Sequence, residues 1–243
     1  MKDYGPESFG ELNAENYDAE HDPGTTDDSV ALLAKLANGK KTLELAIGTG
    51  RVALPLAACG IDISGIEASP DMVTKMREKP GGKDIPVAIG DMACFELGDR
   101  FDFAFLIFNT LFNLTSQEAQ ISCFKSTAAH LNSGGAFLIE TFVPDLSQYT
   151  GNQALRTRHV DAKSAWIEAI QHDPVNQIIN YQRIRFSKDG MRLVPLPMRY
   201  AWPQEIDLMA KFAGLTLEAR WGGWLNQPFS AHSRMHVSLY RKP

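Results

Sequence analysis

The sequence predicts an α/β fold: a doubly wound, mostly parallel sheet of about seven strands, with an antiparallel β-meander inserted after the fifth. Three observations carry this reading. Apolar runs of strand length alternate with helix-length segments between residues 28 and 142. The third and fourth runs are nearly continuous in apolar residues, as strands buried on both faces require. After Phe142 the pattern changes to alternating segments rich in Ile, Tyr and Trp, separated by turn signals.

The elements follow in order. Residues 1–27, polar and acidic, form an N-terminal arm. Val30, Leu33, Ala34 and Ala37 recur at helical spacing, Asp27 can cap that helix over 28–37, and Asn38-Gly39 ends it. Residues 42–47 are the first strand. A short helix follows Gly50; Pro55 falls in its first turn, where a backbone N–H has no intrahelical partner to lose, and Gly60 closes it. "IDISGIE" is the second strand, and "SPDMVTKMREK" opens a helix with Ser69 as N-cap and Pro70 at the first helical position. "IPVAIGD" and "RFDFAFLIF" are the third and fourth strands. Thr115-Ser-Gln-Glu118 reads as a capping box opening a helix to about residue 131, and "GGAFLIETF" is the fifth strand.

The meander covers 156–160, 165–171, 177–187 and 192–200, with turns at Asp173-Pro174 and Asp189-Gly190. Pro203 opens a helix to about Phe212, and "LTLEARW" and "RMHVSLYRK" are the last strands. Strict alternation of strands and helices implies right-handed crossovers around one sheet. Residues 28–143 and 203–243 are thus expected to form one ligand-binding domain, with 144–202 an inserted antiparallel subdomain serving as a lid or an oligomer contact.

With 243 residues, 44% hydrophobic and 22% charged, the chain can bury one large core or a core plus a small appendage. A net charge of -5 without a long Lys or Arg run argues against binding to a nucleic-acid backbone. The N-terminus has no apolar segment of signal-peptide type and no later run approaches a membrane span, so a cytoplasmic protein without membrane contact is expected. Cys59, Cys94 and Cys123 lack CxxC spacing and read as packing residues, with no metal or redox role.

Gly48-Thr49-Gly50-Arg51-Val52-Ala53 satisfies G-x-G-x-x-G/A after a strand, which permits a dinucleotide. Glu44, four residues before Gly48 on that strand, would repel a pyrophosphate but suits a ligand carrying an ammonium and a sulfonium, such as S-adenosylmethionine. Two further acids stand at strand ends, where an open sheet places ligand contacts. Glu67 ends the second strand and can accept both ribose hydroxyls; Asp91 ends the third and can accept from an adenine amino group, with the Met92 N–H facing a ring nitrogen.

On these residues the chain resembles the class I S-adenosylmethionine-dependent methyltransferases of small-molecule type, over roughly 28–142 and the C-terminal strands. "ELAIGTG" resembles their first motif, "GIEAS" their ribose-binding acid, "GDM" their adenine-binding step, and "LNSGGAFLIE" their fifth strand. The resemblance implies a Rossmann-like domain and direct in-line methyl transfer to an oxygen or nitrogen of a small-molecule acceptor. It also implies roles: Glu44 orienting the methionine amino group directly or through water, the backbone from Ala46 through Gly48 to Gly50 lining the cofactor, and Glu67 with Ala68 at the ribose. Asp91 and Met92 would hold the adenine, and the Phe108 carbonyl would lie near the amino group, with Asn109 at the mouth. Tyr17, in "ENYDAEH", resembles an N-terminal tyrosine that closes over the cofactor. Ala46 stands where the family usually has glycine; its methyl group is compatible with strand geometry, so binding is expected to be retained.

No motif identifies a catalytic acid or base; His21, His159, His172 and His232 are candidates for the latter. Trp166, Tyr181, Tyr200, Trp202, Trp221 and Trp224 divide between a core for the insertion and a substrate wall, with Trp166, Tyr181 or Tyr200 presented to the acceptor. "FNTLFNL" lacks a D/N-P-P-Y signature, which disfavours base or glutamine amines as acceptors. A homo-oligomer through the insertion fits the same pattern. Two alternatives stay open: a non-catalytic protein binding S-adenosylmethionine or its product, and a nucleotide-dependent oxidoreductase supported by the glycine pattern alone.

Overall fold

The computed structural model describes residues 4–21 and 23–243, so four positions of the expected N-terminal arm, 1–3 and 22, lie outside the described residues. The chain runs α1 (Ser8–Asn13), α2 (Tyr17–Glu20), α3 (Thr26–Ala37), β1 (Thr42–Leu45), α4 (Ala53–Ala58), β2 (Ile63–Glu67), α5 (Pro70–Arg77), β3 (Val87–Ile89) and β4 (Phe101–Leu106). It continues as α6 (Gln117–His130), β5 (Leu131–Phe142), β6 (Gln153–Val160), β7 (Ser164–Asp173), β8 (Ile178–Ser187), β9 (Gly190–Arg199), α7 (Pro203–Phe212), β10 (Thr216–Trp221) and β11 (Met235–Arg241).

Seven strands form one sheet in the order β10-β11-β5-β4-β1-β2-β3. Neighbours from β5 to β3 are parallel, and β11 runs antiparallel to both β5 and β10. Period-two burial explains why these segments are strands and why helices cover both faces. Along β4, Ala104 and Leu106 enter one core with Leu43, Leu45, Phe124 and Phe137, while Phe103 and Phe105 enter the other with Leu33, Leu56 and Met76. Each Leu, Phe or Met side chain among them contributes roughly 1.5–3 kcal/mol on burial. Strand order reverses between β1 and β4, so the carboxyl ends of β1, β2 and β4 open onto a switch-point crevice.

Two helix starts differ from the sequence expectation. Ser116, not Thr115, caps α6: its backbone is extended and its hydroxyl accepts the Ala119 N–H at 3.0 Å. Either hydroxyl satisfies the cap pattern, and the backbone turn selects the second. In α3, Asp27 sits inside the first turn instead of capping it, where its charge favours the helix N-terminus. Pro55 is the third residue of α4, and α7 begins at Pro203 as expected.

The four strands β6–β9 form a separate antiparallel meander. Its register places Trp166 opposite Arg185, Glu168 opposite Arg183 and Ile170 opposite Tyr181 on one face. Ile170, Ile179, Leu196 and Met198 pack into the core beneath α6 and α7. Arg199 pins the root: it donates to Gln120 Oε1 at 2.7 Å, Gln177 Oε1 at 3.0 Å and Glu205 Oε1 at 2.7 Å. Among the described residues no helix is long and apolar enough to cross a membrane.

Candidate active site

The turn after β1 is built from left-handed backbone. Ala46 has φ 54°, Gly48 58° and Gly50 76°. This corrects the strand geometry expected for Ala46: the position favours glycine, and an alanine there carries a backbone cost of about 1 kcal/mol. At Gly48 an added Cβ would meet only the Ala46 carbonyl oxygen, at 3.9 Å, so the turn presents an open cradle. At Gly50 it would meet Met76 Cγ at 2.7 Å, so this glycine permits close packing of α5 and does not line the cavity.

Glu67 ends β2 and closes this turn. Its Oε2 accepts the Gly48 N–H at 2.8 Å and its Oε1 the Ser69 N–H at 2.9 Å. Burial raises its pKa, opposed by backbone N–H groups of Ser69, Gly48 and Ala68. Asp91 accepts the Ala93 N–H at 2.8 Å. Glu44 is buried behind the turn and off the cavity wall; its Oε2 has no hydrogen-bond partner. Burial holds its carboxyl well above the usual range, Arg51 opposing and Glu67 adding to the shift.

Glu140, on β5, accepts the Phe108 N–H at 2.5 Å, and burial pushes its carboxyl up to about 7, opposed by that bond and by Arg51. The Arg51 guanidinium lies 4.9 Å from the Phe108 ring centroid, donates to Thr26 Oγ1 at 2.7 Å, and leaves its Nε unpaired. Phe108 and Asn109 both adopt φ 61°. The Asn109 side-chain oxygen secures that reversal by accepting the Phe142 N–H at 2.5 Å.

The N-terminal helices close over the turn. Tyr17 stacks on His21 with centroids 4.9 Å apart and shares a hydrogen bond with Arg51. Asp18 accepts from Thr49 Oγ1 at 2.6 Å and pairs with Lys79 Nζ at 2.6 Å; Glu15 pairs with Lys75 at 2.8 Å. On the far side Arg192 bonds the Leu12 carbonyl and Arg185 pairs with Glu20. Arm, sheet ends and meander together enclose a cavity of about 600 Å³.

Of the residues singled out from sequence, Tyr17, Ala46, Gly48, Glu67, Ala68, Asp91, Met92, Phe108 and Asn109 line this cavity. Trp166 and Tyr181 face it from the meander, whereas Tyr200 is buried outside it, its hydroxyl 3.1 Å from His172 Nε2. Among the histidines only His21 lies on the wall. His159 pairs with Asp161 at 2.8 Å and His172 stacks on Tyr149 at 4.6 Å. Sequence reasoning passed over the arginines at 156, 158, 183, 185 and 192, all on the wall. Arg183-x-Arg185 carried the signal, since period two places both on one face of a strand.

The switch-point crevice, the open glycine cradle and the acids at the end of β2 and just after β3 together form the ligand crevice of an open-sheet α/β protein. Residues 42–135 match a family described as a methyltransferase domain. The chain is 35% identical to the CcbJ methyltransferase from Streptomyces caelestis, superimposing with a TM-score of 0.93 over 98% of this chain and 99% of that one. It is 27% identical over 209 residues, 84% of each chain, to cypemycin N-terminal methyltransferase from Streptomyces sp. It shares the fold of CalS10, an amino pentose methyltransferase from Micromonospora echinaspora, at 19% identity and TM-score 0.70 over 94% and 95% of the two chains. The chain belongs to the class I S-adenosylmethionine-dependent methyltransferases: it is an enzyme, and S-adenosylmethionine is its cofactor. The residues present fit that ligand. Gly48 leaves room beside the backbone, Glu67 keeps lone pairs beyond those that accept backbone N–H groups, and the buried Glu44 Oε2 and Arg51 Nε, both without a partner, leave hydrogen-bonding capacity beside the turn.

Proposed function

We propose that this enzyme methylates a nitrogen of a small molecule held in the enclosed cavity, by direct in-line displacement. S-adenosylmethionine supplies, when bound, a methyl group already activated on a sulfonium, so alignment of the nucleophile is the main demand on the protein. In this reading Glu67 and Ala68 hold the ribose, Asp91 and Met92 the adenine, and the backbone at Ala46 and Gly48 lines the methionine portion. Glu44 acts from behind the turn, the Phe108 carbonyl faces the amino group, and Tyr17 closes the arm over the site. Residues 144–202 select the acceptor and exclude water, since the inner face of the meander forms the wall opposite the sheet ends.

The observation that carries the choice of nitrogen is the absence of a free general base among the described residues of the wall. His21 accepts from Arg183 Nη1 at 2.9 Å, and burial, with Arg183 adding, lowers its pKa to about 4. Glu168 pairs with Arg183, Glu20 with Arg185, and Glu67 and Asp91 with backbone N–H groups. An amine exposes its nucleophilic lone pair by losing a proton to water, whereas a hydroxyl needs a positioned base. The names of the amino pentose and N-terminal methyltransferases support the same class of acceptor.

The outer face of the meander carries exposed Leu155, Val160, Met191 and Leu193, which supports a homo-oligomer contact there. The nitrogen assignment is tested by carrying a carbon-13 methyl from the cofactor onto the product and reading its chemical shift. An N-methyl resonance is expected; an O-methyl resonance refutes the assignment.

A further inference from the structure

The two ends of the cavity carry opposite charge. Glu67 and Asp91 mark the sheet end, whereas five arginines, 156, 158, 183, 185 and 192, stand at the meander end. Among the described residues, only two carboxylates on the wall oppose those arginines. Glu168 lies 3.1 Å from Arg183 and 3.8 Å from Arg158, and Glu20 pairs with Arg185. Arg156 bonds the neutral Gln148 side chain and lies 5.9 Å from the Tyr149 ring centroid; Arg192 bonds only a backbone carbonyl, that of Leu12. Among the described residues the guanidinium charges at this end therefore exceed the carboxylates by three.

The unsatisfied polar atoms point the same way. Trp166 Nε1, His21 Nδ1 and the Tyr4 hydroxyl are buried without a hydrogen-bond partner, and all three residues line the cavity. Because His21 Nε2 accepts from Arg183, the imidazole proton resides on Nδ1, so all three can donate. The depressed pKa of His21, caused by burial first and then by Arg183, Arg158 and Arg192, reflects the same positive field. Orphaned donors beside uncommitted guanidinium groups suit an oxyanion, which they can bind by charge-assisted hydrogen bonds.

We propose that the meander end of the cavity is an oxyanion subsite, and that the methyl acceptor carries a carboxylate or phosphate group bound there while its nitrogen points toward the sheet end. This rests on reading the cavity as the acceptor site. The test is calorimetric titration of the full chain, saturated with S-adenosylhomocysteine, with malonate in one arm and inorganic pyrophosphate in the other; the arm that binds identifies the anion type. The R156Q/R192Q variant should bind that anion about tenfold or more weakly, with S-adenosylhomocysteine affinity unchanged. R156Q alone, on the edge strand of the meander, gives the same reading if the double variant misfolds.

Failure of both anions to bind, or equal binding by wild type and variant, overturns the proposal. A parallel loss of S-adenosylhomocysteine affinity also overturns it, since the arginines would then serve the cofactor. Should the wild-type chain not bind S-adenosylhomocysteine at all, the reading of the cavity fails by itself, and the anion titrations on the free chain still decide the subsite.

Discussion

Replacing Glu67 with glutamine probes the cofactor assignment through a side chain that also shapes the turn. Its two oxygens accept the Gly48 and Ser69 N–H groups at 2.8 and 2.9 Å, and the remaining lone pairs are assigned to the ribose. A glutamine keeps the shape but supplies one acceptor oxygen, so one buried N–H faces an amide nitrogen at a cost of about 1–3 kcal/mol in folding stability. Each ribose hydroxyl that loses a carboxylate partner costs a further 1.5–3 kcal/mol or so of binding, a factor of about 10–150. Affinity for S-adenosylhomocysteine should thus fall on the order of a hundredfold. Calorimetry with S-adenosylhomocysteine and its 2′-deoxy analogue separates the two roles. The deoxy analogue should bind wild type at least about tenfold more weakly and lose most of that penalty in Glu67→Gln. An equal deoxy penalty in both proteins would refute the ribose assignment, leaving Glu67 with its role in the turn alone.

Other perturbations reach the surrounding structure. Glu140, raised to about 7 from an ordinary 4.5, keeps its proton in the folded chain while the unfolded chain releases it, so stability falls as pH rises from about 4.5 to 7, by roughly 3 kcal/mol. Glu140→Gln should flatten that decline in urea unfolding; an unchanged pH slope would contradict it. Asp18 has a lowered pKa because, although burial opposes it, Lys79 and Thr49 hold its anion, so its contribution is present above its unfolded pKa and lost as pH falls through the folded value. Asp18→Asn should expose the chain between α1 and α3 to limited proteolysis without lowering the global melting temperature; unaltered cleavage would show that the contacts of Asp18 with Thr49 and Lys79 do not hold the arm. Arg199→Met removes the cation that faces Glu205, leaving that carboxylate only its amide donors Gln117 and Gln177, and should destabilise the chain by about 3–5 kcal/mol, measured by chemical denaturation. A loss below about 1 kcal/mol would show that the network does not pin the meander.

The strands, helices and meander were legible because burial on one or two faces imposes a period that survives in the sequence, as "RFDFAFLIF" and the 177–187 segment show. Glu67 and Asp91 were legible for a related reason: strand ends at a switch point are fixed by topology. Conformation inside the turn was not. Ala46 looked like a strand residue because an alanine gives no local sign of positive φ, and only the closed turn enforces it. Tyr200 and Tyr181 both look like strand aromatics, yet Tyr200 joins His172 in a buried contact while Tyr181 faces the cavity. The arginine wall escaped because its members come from three strands and appear as ordinary exposed charges until the sheet rolls them inward.

The most direct measurement of the central claim is transfer of an isotopically labelled methyl group from S-adenosylmethionine to a small-molecule metabolite extract, followed by mass spectrometry. The expected result is label on one low-mass, amine-bearing compound, formed together with an equal amount of S-adenosylhomocysteine. Label found only in macromolecules added to the same reaction, or on a low-mass compound without an amine, would contradict the account.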